Sequence, residues 1–226
     1  PAADFNHLGF FRVCFLTQDL DARYEALRRA GVACLGPPVE VPLGSEVADT
    51  VRALCFRDPD GTTLELIELP GVPERIAHVN VNCSDVVRSA EWYERVLGLR
   101  TLGRSAPGPV SGSLFGHDRE IEWDARFLVP EGAAESMAID LLEWKHPRPL
   151  GKPAASGNQL GIFRMAFLVA EVGAAREALL EAGVDAPEPV WLDMGPEIPV
   201  DGVWALFFRD PDGTCLELIQ TPVASG

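Results

Sequence analysis

The stretch "FRDPDGTTLELIE" occupies Phe56–Glu68, and "FRDPDGTCLELIQ" occupies Phe208–Gln220. The offset is 208 − 56 = 152. At that offset "GFFRVCFL" (Gly9–Leu16) falls on "GIFRMAFL" (Gly161–Leu168), and "EALRRAGV" falls on "EALLEAGV", with no gap. The match reaches the first residues, since "PAA" at Pro1–Ala3 repeats at Pro153–Ala155. Repetition at such a period marks one structural unit written more than once. The second copy follows another segment, Glu74–Lys152, and the register therefore predicts a partner segment upstream of the first copy.

The segment before the second copy has the same order of elements. "IAHVNVNC" (Ile76–Cys83) alternates apolar and polar residues, the pattern of a half-buried strand. Ser84 and Asp85 can cap a helix whose Val86, Ala90, Tyr93 and Leu97 share one face, and Gly98 ends it. Strands are expected around Leu99–Gly103, Ala125–Val129 and Ala138–Trp144. The second copy gives a strand at Phe163–Val169, a helix near Val172–Ala182 and a stop at Gly183. Strands then follow around Val190, at Trp204–Arg209 and at Thr214–Gln220. Each unit reads β-α-β-β-β, an α+β class. The D-P-D-G sits between the last two strands of a unit, where Pro presets φ and Gly supplies a positive one, so it reads as a hairpin turn without chemistry.

Bulk properties narrow the function. The net charge of −15 over 226 residues opposes phosphate backbones, which argues against a nucleic-acid partner. No apolar run is long enough to cross a bilayer, so no membrane partner is expected. Five cysteines without a C-x-x-C pair read as reduced, packed thiols of a cytoplasmic protein.

"HVNVNCSDVVRSAEWYERVLGL" (His78–Arg100 less its last residue), followed later by "FRDPDGTCLELIQ", resembles the vicinal oxygen chelate superfamily of glyoxalases, bleomycin and fosfomycin resistance proteins and extradiol dioxygenases. The resemblance implies paired β-α-β-β-β modules forming a curved mixed sheet. Its concave side would hold a small molecule, often on one divalent metal. On this reading residues 76–221 form a complete two-module domain, with modules at 76–150 and 160–221. Residues 71–75 are then a linker, and 1–70 are the second module of an incomplete domain. The missing partner would come from an upstream module or from a homo-oligomer.

The family places its ligands on the first and last strands of each module, pointing into the cup. Strand parity turns His78, Asn80 and Asn82 to that face. Asp140 takes the last-strand position in "AIDLLEW", with Glu143 as its neighbour, and Glu217 takes it in "LELIQ". His78, Asp140 and Glu217 would suit Fe, Mn, Ni or Zn. Arg164 breaks the pattern, and Arg12 repeats the break in the first copy, because a guanidinium cannot ligate a cation. Three roles remain open for Arg164. It can pair with Glu217, as Arg12 can with Glu65; it can hold an anionic or enolate oxygen; or it can swing aside from a three-ligand metal. The expected catalytic set is His78, Asp140, Arg164 and Glu217, with Asn80, Asn82, Arg12 and Glu65 binding substrate. Without a metal, His78 and Asp140 can serve as an acid/base pair.

The Gly-, Pro- and Ser-rich segment Arg104–Asp118 reads as a lid, and His7, His117 and His146 read as exposed loop residues. A lyase, isomerase or cyclase acting on an oxygenated small molecule is expected. A metal-free antibiotic-sequestering protein is the alternative, and a metal-dependent dioxygenase fits less well because Arg164 stands where that chemistry needs His.

Overall fold

The computed structural model describes residues 4–43, 49–133, 136–195, 197 and 200–221. The chain runs β1 (Gly9–Thr17), α1 (Leu20–Arg29), β2 (Val39–Pro42), β3 (Thr50–Arg57), β4 (Thr63–Glu68), then β5 (Ile76–Asn82) and α2 (Val86–Leu97). It continues with β6 (Leu99–Arg104), β7 (Val110–Ser111), a 3-10 turn (Gly112–Phe115), β8 (Glu120–Pro130) and β9 (Ala138–His146). The last module is β10 (Arg164–Leu168), α3 (Val172–Glu181), β11 (Val190–Asp193), β12 (Gly202–Arg209) and β13 (Cys215–Gln220). The repeat carries over to the elements: α1 and α3, β3 and β12, and β4 and β13 are offset by the same 152 residues as the sequence.

Local chemistry sets the helix ends. Asp85 caps α2 by accepting from the backbone N of Arg88, and Gly98 ends it in the left-handed region at φ 64°, which glycine enters without a Cβ penalty. In each D-P-D-G turn the first Asp accepts from two backbone N–H groups, Asp58 from Asp60 and Thr62, Asp210 from Asp212 and Thr214. The second turn does more than connect strands. Asp210 Oδ2 accepts from the buried Tyr93 hydroxyl, and Asp212 accepts from the backbone N and the hydroxyl of Ser84 and pairs with Arg88. A hairpin turn of the last module therefore clamps α2 at its start and again at Tyr93.

Sheet topology corrects the expected domain boundaries. The large sheet has the order β2-β3-β4-β1-β5-β9-β8-β6, while β10-β13-β12-β11 form a separate four-stranded sheet. Residues 9–68 and 76–146 thus share one curved sheet, joined where β1 runs antiparallel to β5. Among the described residues, no strand of 76–146 pairs with a strand of 164–220. Residues 69–75 join β4 to β5, which lies along the edge of β1 not taken by β4. Residues 147–163 instead carry the chain round to the helical face. There Met165, Leu206, Phe208, Leu216 and Leu218 form one core with Val79, Val81, Ala90 and Tyr93. Among the described residues, no helix is long and apolar enough to cross a membrane.

Candidate active site

Within each module the first strand lies parallel to the last. Cys14 is in register with Glu65, Asn80 with Asp140, and Ala166 with Glu217. Arg12, His78 and Arg164 are therefore equivalent first-strand positions, and Glu65, Asp140 and Glu217 equivalent last-strand positions. The β1–β5 seam is a pseudo-two-fold with Val13 opposite Val79 and Cys14 opposite His78. It brings the first pair, Arg12 and Glu65, against the second, His78 and Asp140.

These four side chains form one buried ionic cluster. Arg12 donates from Nε to Glu65 Oε2 at 2.9 Å and from Nη2 to Asp140 Oδ2 at 2.9 Å. His78 Nε2 lies 3.1 Å from Glu65 Oε2 and 3.6 Å from Asp140 Oδ2. Asn80 Nδ2 donates to the side chain and the backbone carbonyl of Asp140. Burial favours the neutral form of Glu65, but the Arg12 charge and the His78 hydrogen bond outweigh it and hold the carboxyl at about 2. Burial likewise opposes the Arg12 charge, and Glu65 with Asp140 overcome it, so the guanidinium stays protonated. Burial, reinforced by Glu65, pushes the neighbouring Cys14 thiol well up.

Around the cluster the cup is nearly filled. Phe5, Phe11, Leu114, Phe115, Ile121 and Trp144 pack inside it, and the Phe115 ring centroid lies 5.6 Å from the Arg12 guanidinium carbon. The 3-10 turn Gly112–Phe115 supplies two of these residues, so part of the segment expected to be a lid does cover the cup. A cavity of about 50 Å³ remains, lined by Arg12, Glu65, His78 and Asp140 and by Ser105, Trp123 and Phe127, among others. Arg12 Nη1, Asp140 Oδ1 and Asn80 Oδ1 are buried there with no protein hydrogen-bond partner among the described residues.

The expected site residues thus divide. His78, Asp140, Asn80, Arg12 and Glu65 meet in one cup. Arg164 and Glu217 do not: they lie on the other sheet, where Arg164 Nε donates to Glu217 Oε2 at 2.6 Å. The expected carboxylate of Glu217 is replaced by that of Glu65, because β1 and not β10 took the edge of β5. Asn82 is no ligand either. Its Nδ2 donates to the carbonyls of Phe5 and His7 and its Oδ1 accepts from Trp144 Nε1, which ties the segment before β1 to the cup. Glu143 is outside the cup and accepts from the backbone N of Val86. His117 and His146 are exposed, and His7 is half-buried against Leu8. Cys14 and Phe127 escaped the sequence reading, although Cys14 shares the strand parity of Arg12.

The family's divalent metal does not fit these residues. Arg12 drives two nitrogens onto the carboxylate oxygens that a cation would need, and a guanidinium in the fourth position repels one. Ligand atoms of Cys14, Glu65 and His78 do lie within 4.8 Å of one another. That trio shares Glu65 with Arg12, whose fixed positive charge opposes a cation there. The earlier trio of His78, Asp140 and Glu217 is divided between two sheets.

Comparison with known proteins agrees with this architecture. The model of the Glyoxalase/Bleomycin resistance protein/Dioxygenase superfamily matches residues 1–66 and 75–218. A lactoylglutathione lyase of Arabidopsis thaliana is 34% identical over 94 residues, 42% of this chain and 31% of that protein. A lactoylglutathione lyase of Oryza sativa subsp. japonica is 30% identical over 94 residues, again 42% and 31%. The matched stretch is thus about a third of the length of these relatives. The crystal structure of glyoxalase I from Zea mays superposes with a TM-score of 0.63 at 20% identity, over 95% of this chain and 68% of that one.

Proposed function

The chain belongs to the Glyoxalase/Bleomycin resistance protein/Dioxygenase superfamily, and from that premise we propose a metal-free lyase or isomerase acting on a small oxygenated substrate in the cup between residues 9–68 and 76–146. The observation that supports it is the unsatisfied pair, Arg12 Nη1 and Asp140 Oδ1, beside the cavity that both residues line. A buried polar group without a partner costs about 1–3 kcal/mol, and a substrate oxygen held by Arg12 would relieve one such cost. The relatives' names point the same way, toward lyase chemistry on a thioester of a hydroxy acid.

In this reading a carbonyl oxygen of the substrate faces Arg12 Nη1. A proton leaves the adjacent carbon for the free ring nitrogen of His78, whose Nε2–H is held on Glu65 Oε2 at 3.1 Å. The electron pair moves onto the carbonyl oxygen, and the fixed Arg12 charge stabilises the enolate where the negative charge develops. His78 then returns the proton to the former carbonyl carbon while the hydroxyl proton of the first carbon passes to the enolate oxygen, or it gives the proton to a departing group in a lyase. Entry requires the 3-10 turn at Gly112–Phe115 to move, since about 50 Å³ admits no more than one or two waters.

The filled cup favours one second reading: the cluster is an ionic lock between modules, with no turnover. Incubation with S-lactoylglutathione and a panel of 2-hydroxy ketones, followed by proton NMR in heavy water, separates the two. Exchange or conversion that disappears in His78→Gln, with the fold intact by circular dichroism, supports the enzyme. No exchange across the panel, or exchange undiminished in His78→Gln, would sink it.

A further inference from the structure

A second cavity stands apart from the cup and carries an inference independent of the cup's chemistry. It measures about 560 Å³, against about 50 Å³ left in the cup. Corresponding ends of the first and last modules face it. Phe10, Phe11 and Thr62 come from the first copy of the repeat, and Ile162, Phe163 and Thr214 are the residues 152 positions further on. A space of that size falls within the range of small-molecule sites, whose usual lining is apolar and aromatic with a few polar groups.

The remaining wall is built from two segments that fix each other. Leu8 N donates to Leu150 O at 2.9 Å, and Leu150 N donates to Asn6 O at 3.1 Å. Gly9 lies against Pro153, whose Cβ would be 3.0 Å from a Cβ at that position, and a Cβ on Gly151 would collide with the His7 ring. Arg209 donates to the carbonyls of Ala154 and Ala155, and Gln159 Oε1 accepts from the backbone N of Ala155 at 2.9 Å. The cavity is therefore held open by paired backbone.

Charge decides what such a space would hold. No residue lining it is acidic, in a chain where 34 of 226 residues are Asp or Glu. The two lysines of the chain differ in their partners. Lys145 pairs with Glu143 at 2.7 Å, whereas Lys152 lines this cavity and meets no carboxylate within ion-pair distance among the described residues. Thr62, Thr63 and Gln159 add hydrogen-bond donors on the same walls. We propose that this cavity is a binding site for a small organic carboxylate with a flat apolar body. The body lies between Phe10–Phe11 and Ile162–Phe163, and the carboxylate meets Lys152. The site is separate from the cup, since Arg12, Glu65, His78 and Asp140 line the cup and none of them lines this cavity.

Titration of the full chain with naphthoate and with uncharged naphthamide, followed by the NMR shifts of the backbone amides, tests this. The expected result is saturable shifts at residues 8–11, 62–63 and 159–163, with the carboxylate bound about fivefold tighter than the amide. Lys152→Gln removes that preference and leaves the affinity for naphthamide unchanged; Lys152 is exposed, so the variant keeps the wild-type melting profile. Ala154→Trp fills the space and abolishes the shifts for both probes. Absence of saturable shifts at millimolar probe overturns the proposal, and so do shifts centred on other residues. Equal binding of the two probes overturns it as well, as does a preference for the carboxylate that survives Lys152→Gln. The Lys152→Gln comparison decides the matter even where Ala154→Trp does not fold.

Discussion

Replacing Arg12 by Gln removes the cation that holds Glu65 and Asp140 together. Both carboxylates are buried, at 3% and 1% exposure, and both lose a 2.9 Å hydrogen bond. Breaking a buried ion pair from one side costs about 3–5 kcal/mol, because the remaining charge has no compensation. At roughly 2–4 °C per kcal/mol for a chain of this size, the melting temperature falls by about 6–20 °C. The same change leaves His78, Glu65 and Asp140 around the vacated centre, one nitrogen and two carboxylates, and Gln adds a neutral oxygen. That donor set suits Co, Ni or Zn. A metal at a thousand times its dissociation constant returns about 4 kcal/mol, most of the loss. The assay is differential scanning calorimetry of chelator-treated protein with and without Co, together with the visible absorption of bound Co and metal content after dialysis. The expected outcome is a wild type indifferent to metal and a variant that melts early alone and recovers with it. Stoichiometric metal retained by dialysed wild type would refute the argument that the guanidinium has taken the cation's place. A variant that melts early and never recovers would refute the geometry assigned to the three ligands.

Other consequences follow from the same contacts. Glu65 is held at about 2 against an ordinary 4.5, so its stabilisation is present in full above pH 4.5 and is lost as pH falls toward 2, about 3 kcal/mol in all. Urea titrations at pH 6 and pH 3 check this, and Glu65→Gln must flatten that part of the profile if the reasoning is right. Tyr93→Phe removes the hydroxyl that donates to Asp210 Oδ2 at 3.1 Å and should cost about 1.5–3 kcal/mol, read by chemical denaturation; an unchanged midpoint would mean that the turn does not depend on this bond. In Gly36→Ala the new Cβ meets the carbonyl oxygen of Ser113 at 2.2 Å, so the covering turn must shift. Faster amide exchange across residues 112–117 is the expected sign, and unchanged exchange there counts against that turn as the cover of the cup.

Much of this was legible in the sequence, and the parts that were not share a physical cause. Helix α2 announced both its ends, through Asp85 and Gly98, because caps act within a few residues. The Arg12–Glu65 and Arg164–Glu217 pairs were legible as well, since the first and last strands of a module are neighbours whatever surrounds them. Which module lies beside which was not. The first strands of all three modules offer the same kind of edge, and alternation along Ile76–Asn82 looks the same whether β1 or β10 sits next to it. The same limit misplaced Asn82, whose parity toward the cup was right but whose partners, Phe5, His7 and Trp144, come from segments distant in sequence. The Gly-, Pro- and Ser-rich run Arg104–Asp118 reads as a lid, but its composition does not say that Leu114 and Phe115 are the residues that enter the core.

The three modules also separate what a module makes alone from what a neighbour adds. Alone, the last module makes the within-module contact of Arg164 and leaves that side chain half in water, where an ion pair is worth little. With β5 alongside, the equivalent Arg12 gains a second carboxylate and a histidine, and burial turns the same residues into a cluster that pulls Glu65 far below its ordinary range. The functional unit of this fold is therefore the seam between two first strands. A substitution on one side of a seam, such as Arg for a ligand, alters the chemistry of both modules at once. Arg12 has made that substitution in the cup it shares with His78 and Asp140, while Arg164 keeps only the contact within its own module.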